Sequence, residues 1–280
     1  MGTESGNIQV WDKIINSAVH MPGSRVSRND FLRKELSKYC DASLVEAAIA
    51  ESPAVAGVPQ DLIRKISDSV ISSQRTRTTS LSVAAGLPGG WWAAGTIPAD
   101  ISQFFWSVTV VSQKLAYLHG WPDLNEGGAD DTDEKTKEVL TLFIGVMFGV
   151  NAANKGITRL SAHVAGNTAK RISDKALTKT TWYPLLKKIA AVLGYKITKE
   201  STGKSISKVI PLLGGAISGG MTWVSFGKMA NRLRSHLEGL YLHTRRPEDL
   251  ANENSIFEDE EDIIVNESDE TVNTLNKSAI

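Results

Sequence analysis

Asp100 is the acid best placed for chemistry. It follows Pro98-Ala99 at the end of a charge-free stretch, Thr78–Ala99, with Gln103 one turn further on. An acid directly after X-Pro-small and before an apolar run is a typical helix start, which predicts an N-cap for a helix over Ile101–Leu118. The chemical alternative is a buried carboxyl with a raised pKa, used in proton or substrate handling. The local pattern favours capping. The segment TKESTGKS, Thr198–Ser205, ends like a phosphate-binding loop, GxxxxGK[ST]. Thr198, however, stands where the first glycine must let the backbone turn and aim its amides at phosphate oxygens. No strand pattern precedes it, so a lysine-rich helix connection is expected.

Metal and nucleophile chemistry find no support in the spacing. His20, His119, His163, His236 and His243 form no pair at i, i+3 or i+4, and no HExxH occurs. His236 and His243 are flanked by Arg232, Arg234, Arg245 and Arg246, which repel a cation. Asp130, Asp131, Asp133 and Glu134 lack the glycine and terminal glutamate of a calcium loop, and are expected to cap a helix starting near Thr132. Cys40, the lone cysteine, and the serines have no recognisable base partner. The expectation is therefore no metal, no cofactor and no catalytic constellation, with Asp100 the one weak candidate for an enzyme.

The elements that would position these residues are helices. Val10-Trp11, Ile14-Ile15 and Ala18-Val19 recur at helical spacing, Asp30–Tyr39 and Ser43–Ala50 predict short capped helices, and Gln60–Arg75 is amphipathic. Gly120–Lys135 reads as an exposed connection. Helical patterning resumes at Thr136 and continues to about Leu242, with breaks near Gly166, Thr180–Pro184 and Thr202–Gly203. No series of alternating strands is present, which disfavours all-β and doubly wound folds. The predicted architecture is an all-α, multi-helix globular bundle with glycine-rich helical hairpins. Residues 1–55 form an N-terminal helical extension, 56–246 the main helical domain, and 247–280 a disordered acidic tail.

A formal charge of zero conceals an asymmetry. Nine of the 31 acidic residues and one of the 31 basic ones lie after position 250, leaving 30 basic against 22 acidic before it. Between Lys155 and Lys208 twelve Lys or Arg face only Asp174 and Glu200. That bias suits an anionic surface. Lys170, Arg171, Lys187, Lys188, Lys204 and Lys208 are its candidate contacts, although a solvated helix face has the same composition. Nucleic acid is the minor reading, because Trp182-Tyr183 is the one aromatic pair there and no groove-reading motif accompanies it. The acidic tail, with its apolar knot Ile263-Ile264-Val265, reads as a solvating segment.

Thr78–Ala99, Val139–Asn154 and Val209–Gly227 carry no charge, yet each is too short or too broken by Pro, Gly or Asn for a bilayer span of about 20 residues. Mean hydropathy of −0.14 points the same way. Core helices are favoured over interfacial insertion. Trp91-Trp92 would suit a bilayer interface or a core equally well. Gly145 with Gly149, and Gly215 with Gly219, place small residues one turn apart, which allows close helix packing. The N-terminus lacks the basic start and apolar run of a signal peptide, and position 6 is Gly where an acylation pattern requires Ser or Thr. A cytoplasmic address is expected.

Gly86–Gly95, IPAD at 97–100, Gln103, Phe104-Phe105-Trp106 and QKLAYLHGW at 113–121 resemble the EcsC family. So do IGVMFGVNAANKG at 144–156, Leu193-Gly194 with ITK at 197–199, and KVIPLLGGAISGGMTWVSFGKMANRL at 208–233. The resemblance covers roughly residues 60–242. It implies a helical, membrane-associated protein in the setting of a transporter and supplies no catalytic residues. The expected function is a non-enzymatic accessory or regulator on the inner face of the cell membrane. Its partners would be the lipid surface and an integral membrane protein, with a second copy of the chain a further candidate. The alternatives are a membrane-active effector that permeabilises the bilayer and a small enzyme using Asp100.

Overall fold

The computed structural model describes residues 2–84, 99–125, 129–166, 179–202, 219–240 and Leu242. These residues form nine helices and no strand: α1 Gly2–His20, α2 Arg28–Leu36, α3 Ala42–Ala50, α4 Gln60–Ala84, α5 Ala99–Leu118, α6 Ala129–Met147, α7 Asn151–Gly166, α8 Lys179–Thr202 and α9 Gly219–Glu238. The all-α class expected from the pattern is what the chain adopts. The tail, residues 247–280, lies outside the described residues.

Local chemistry explains several helix boundaries. The Ser27 hydroxyl accepts the Asp30 amide at 3.3 Å at the start of α2, and the Asp41 carboxylate accepts the Leu44 amide at 2.9 Å at the start of α3. At the end of α6 the Gly149 amide donates to the Val146 carbonyl and the Val150 amide to the Gly145 carbonyl, both at 2.9 Å. With Gly149 at φ 70°, this is a Schellman stop. The pairing of Gly145 with Gly149 on one helix face is thereby corrected: α6 ends at Met147, and Gly149 turns the chain into α7.

Gly145 itself sits at a close approach, since an added Cβ would lie 2.6 Å from Ala153 Cβ and 3.0 Å from Ile189 Cγ2. Gly156 in α7 has the same character against Leu142 and Leu185. The α6–α7 hairpin therefore closes tightly. Gly219 opens α9, and Gly215 lies outside the described residues.

Two further expectations change. Pro184 does not break the chain but lies in the second turn of α8, where its missing N–H forfeits only the bond to the Thr180 carbonyl. The run from Gly120 is not an exposed connection throughout: Trp121 and Leu124 are buried, and the Thr136 hydroxyl donates to the Leu124 carbonyl at 2.6 Å.

α5 occupies the centre, packing against α1, α2, α4, α6 and α9. A helix touched on all sides must be apolar all round, and Phe104, Phe105, Val108, Val111, Leu115 and Tyr117 are buried on successive faces. The Thr109 and Ser112 hydroxyls donate back to the Trp106 and Val108 carbonyls at 2.8 Å, so they enter the core satisfied. The α5 rings Phe104 and Phe105 meet each other and the rings of Trp11, Phe148 and Phe226 in edge-to-face and stacked pairs with centroids 5.4–6.2 Å apart.

Residues 1–55, expected as an extension, send Trp11, Ile14, Ala18, Leu32, Leu36 and Val45 into the same apolar cluster as the later helices. The uncharged segment Val139–Asn154 is core, split between the end of α6 and the start of α7. No described helix is long and apolar enough to cross a membrane.

Candidate functional site

Helices α1, α6 and α8 pack on one another and leave an open cleft of about 480 Å³. Its position depends on a backbone-to-backbone crossing. Gly194 of α8 lies so close to the Asn7 carbonyl of α1 that any side chain there would collide with it. The floor is apolar, formed by Trp11, Ile15, Leu186 and Ala190 with Ile8 beside them. Its polar atoms are paired: the Trp11 indole N–H donates to the Thr141 hydroxyl at 3.1 Å, and that hydroxyl donates to the Lys137 carbonyl at 2.7 Å.

The rim is charged, with Asp12, Glu134 and Glu138 against Lys13, Lys137 and Lys187. Glu134 and Lys137, one turn apart on α6, form an ion pair at 2.6 Å. The Lys187 amine lies 4.4 Å from the centroid of the Tyr183 ring, the geometry of a cation–π contact. Asp12 is solvated on its outer side. Desolvation by the cleft walls, and then the nearby Glu134 charge, raise its carboxyl above the usual aspartate value, while Lys137 opposes them.

The expected site residues distribute unevenly. Lys187 lines this cleft and Lys188 is its half-buried neighbour. Trp91, Trp92, Lys170, Arg171, Lys204 and Lys208 lie outside the described residues. The basic segment is also not one free face. The Lys196 amine donates to the Phe148 carbonyl at 2.8 Å, and Arg232 from α9 donates to the Met147 carbonyl at 2.7 Å. Both cations complement the negative end of α6.

Asp100 falls inside the first turn of α5, which begins at Ala99, and not in the capping position; its side chain is outside the described set. Thr198–Thr202 is the closing turn of α8. The amides of these five residues run along the helix axis, and Gly203, Lys204 and Ser205 lie outside the described residues. Among the described residues no three His, Cys, Asp or Glu side chains gather as a metal site.

Gln113 and Tyr117 of the 113–121 motif are structural. The Gln113 amide nitrogen donates to the Ser24 and Thr109 carbonyls at 2.7 and 3.1 Å, and its oxygen accepts from the Val26 amide and the Asn125 side chain at 3.1 and 3.0 Å. The Tyr117 hydroxyl donates to Asp123 at 3.2 Å and accepts from the Leu124 amide at 3.3 Å. Burial, then the Asp123 charge, hold this phenol well above its ordinary pKa.

Buried Arg28 donates to the carbonyls of Trp121, Ile49, Ala48 and Glu51 at 2.7–3.4 Å, closing the end of α3 onto the loop after α5. Gly120, at φ 89°, lets the Leu242 carbonyl approach where a Cβ would block it. Every one of these groups is committed to holding loops together.

Sequence reasoning missed Asp12, Lys13 and Lys137. Their helices read as ordinary amphipathic surfaces, and no spacing links α1 to α8. Comparison of the chain with protein-family models, curated proteins and solved structures finds no match.

Proposed function

We propose that the chain is a non-enzymatic accessory or regulatory protein. It adsorbs to the anionic inner face of a membrane and acts there on an integral membrane protein, as its resemblance to the EcsC family implies. The observation that carries this reading is the aromatic–basic group at the start of α8, exposed at Tyr183 and Lys187 and half-buried at Lys188. Tyr183 is one of two large apolar side chains exposed among the described residues, and Lys187 and Lys188 stand one turn beyond it. A tyrosine ring suits the headgroup region, and each lysine near an anionic leaflet contributes about 1 kcal/mol. Two lysines then supply roughly a thirtyfold preference for anionic over neutral lipid.

Flotation with liposomes tests this. Binding is expected on anionic vesicles only, weakening as salt rises, and the double variant Lys187→Glu, Lys188→Glu should lose most of it. Absence of flotation on anionic vesicles at low salt would overturn the reading.

Permeabilisation of the bilayer by Val139–Asn154 is the less favoured course. It would expose Val139, Leu140, Leu142, Phe143, Ile144, Val146 and Met147, all buried. Leaving the core for water would cost about 1.5–3 kcal/mol each, on the order of 10–20 kcal/mol in all, a barrier that only direct transfer into lipid would offset.

A further inference from the structure

The cleft between α1, α6 and α8 carries charges that its own walls leave uncompensated. Glu134 and Lys137 neutralise each other at 2.6 Å. Asp12 has neither a hydrogen bond nor an ion pair among the described residues, and Lys13 cannot serve it, because adjacent residues on a helix point apart. Lys187, on the α8 side, rests on the face of Tyr183 and meets no carboxylate among the described residues. Asp12 on α1 and Lys187 on α8 thus stand on different walls, with an apolar floor between them. A volume of about 480 Å³ falls in the range of small-molecule sites.

We infer that this cleft binds one zwitterionic single-chain amphiphile, its ammonium against Asp12, its anionic group against Lys187 and its first methylenes on Ile8, Ile15, Leu186 and Ala190. A simple anion would leave Asp12 unmatched and a simple cation would leave Lys187 unmatched, where a zwitterion matches both. The apolar floor has its polar atoms already paired, so it offers contact area to a chain and no hydrogen bonds to a head. A primary ammonium, which can donate to the Asp12 carboxylate, fits better than a quaternary one. Lys187 serves both readings, so Asp12, which membrane adsorption does not use, is the residue that separates them.

Titration calorimetry on the full chain provides the test. The probes are lysophosphatidylethanolamine below its micelle concentration, O-phosphoethanolamine as the head without a chain, and an alkyl sulfate of the same chain length. One-to-one binding of the lysolipid is expected, at least tenfold tighter than either other probe. Asp12→Asn and Lys187→Gln should each weaken it about tenfold, with Asp12→Asn leaving flotation on anionic vesicles intact. Equal binding of the alkyl sulfate, tight binding of the chainless head, or an Asp12→Asn variant with unchanged affinity would each overturn the assignment. A brominated lysolipid gives a second readout on the wild-type fold: it should quench tryptophan emission, and Trp11→Phe should remove most of that quenching. Quenching that survives in Trp11→Phe places the ligand elsewhere and also overturns the assignment.

Discussion

Replacing single helical glycines by alanine should give three different outcomes from one chemical change. Alanine in a helix interior is favoured over glycine by about 0.8–1.0 kcal/mol, so in open space Gly→Ala stabilises. Gly6 in α1 has nothing within 4 Å of an added Cβ, and Gly6→Ala should gain about 0.5 kcal/mol, the low end because it lies near the helix start. At Gly156 the Cβ would meet Leu142 Cδ2 at 2.9 Å and Leu185 Cδ2 at 3.1 Å. Both are tips of flexible side chains, so the rotamer adjustment, about 1 kcal/mol, should roughly cancel the helix gain.

At Gly194 the obstacle is the Asn7 backbone, which no rotamer can move aside. Overpacking of this kind costs about 1–3 kcal/mol, and a backbone obstacle puts it at the upper end. Less the helix gain, Gly194→Ala should lose about 2 kcal/mol, which lowers Tm by about 4–8 °C in a domain of this size. Urea unfolding followed by circular dichroism would measure all three. A Gly194→Ala midpoint at or above wild type would refute the claimed crossing of α1 on α8.

Three other perturbations follow from the same geometry. Arg28→Met should cost about 3–5 kcal/mol, because four carbonyls lose a buried guanidinium, and Arg28→Lys should not restore it, since one ammonium cannot span them; urea midpoints decide both. Gly149→Ala should cost about 1–2 kcal/mol for its left-handed backbone, with Gly149→Asn the milder change, and a result in which both equal wild type would contradict the α6 stop. His236 is held below its usual 6.5, mainly by burial, with its contact to the Asn154 carbonyl acting the other way. The unfolded chain therefore takes up the proton first, so stability present above pH 6.5 should fall as pH drops towards the folded value, and His236→Gln should flatten that slope in unfolding midpoints measured from pH 7.5 to 5.

Helices are legible in this sequence because their signals are local. The apolar density of 104–118 announces a buried helix, and Ser27 and Asp41 sit where caps belong. The centrality of α5 is half legible, since a segment apolar on all faces must be surrounded, but nothing in it names the neighbours. Gly149 shows how one residue admits two physical readings. As the second glycine of a GxxxG pair it suggests helix packing; as the glycine before Val150-Asn151 it suggests a stop, and only the backbone angle separates them. Gly194, inside a helix-forming run, reads as a tolerated glycine, because its reason lies at Asn7, at the other end of the chain. The cleft was illegible for the same cause. Asp12, Lys137 and Lys187 look like solvated helix charges until three distant helices bring them to one rim.

The crossing of α1 on α8 also bears on synthesis. Ribosomes extend a chain at roughly 5–20 residues per second, so the stretch of about 190 residues from Asn7 to Gly194 takes roughly 10–40 s to emerge. During that interval α1 lacks its principal neighbour, and Trp11, Ile14 and Ile15 have no finished core to enter. Helix α1 is therefore seated long after it is made, so the nascent chain presents an amphipathic helix to chaperones throughout that interval.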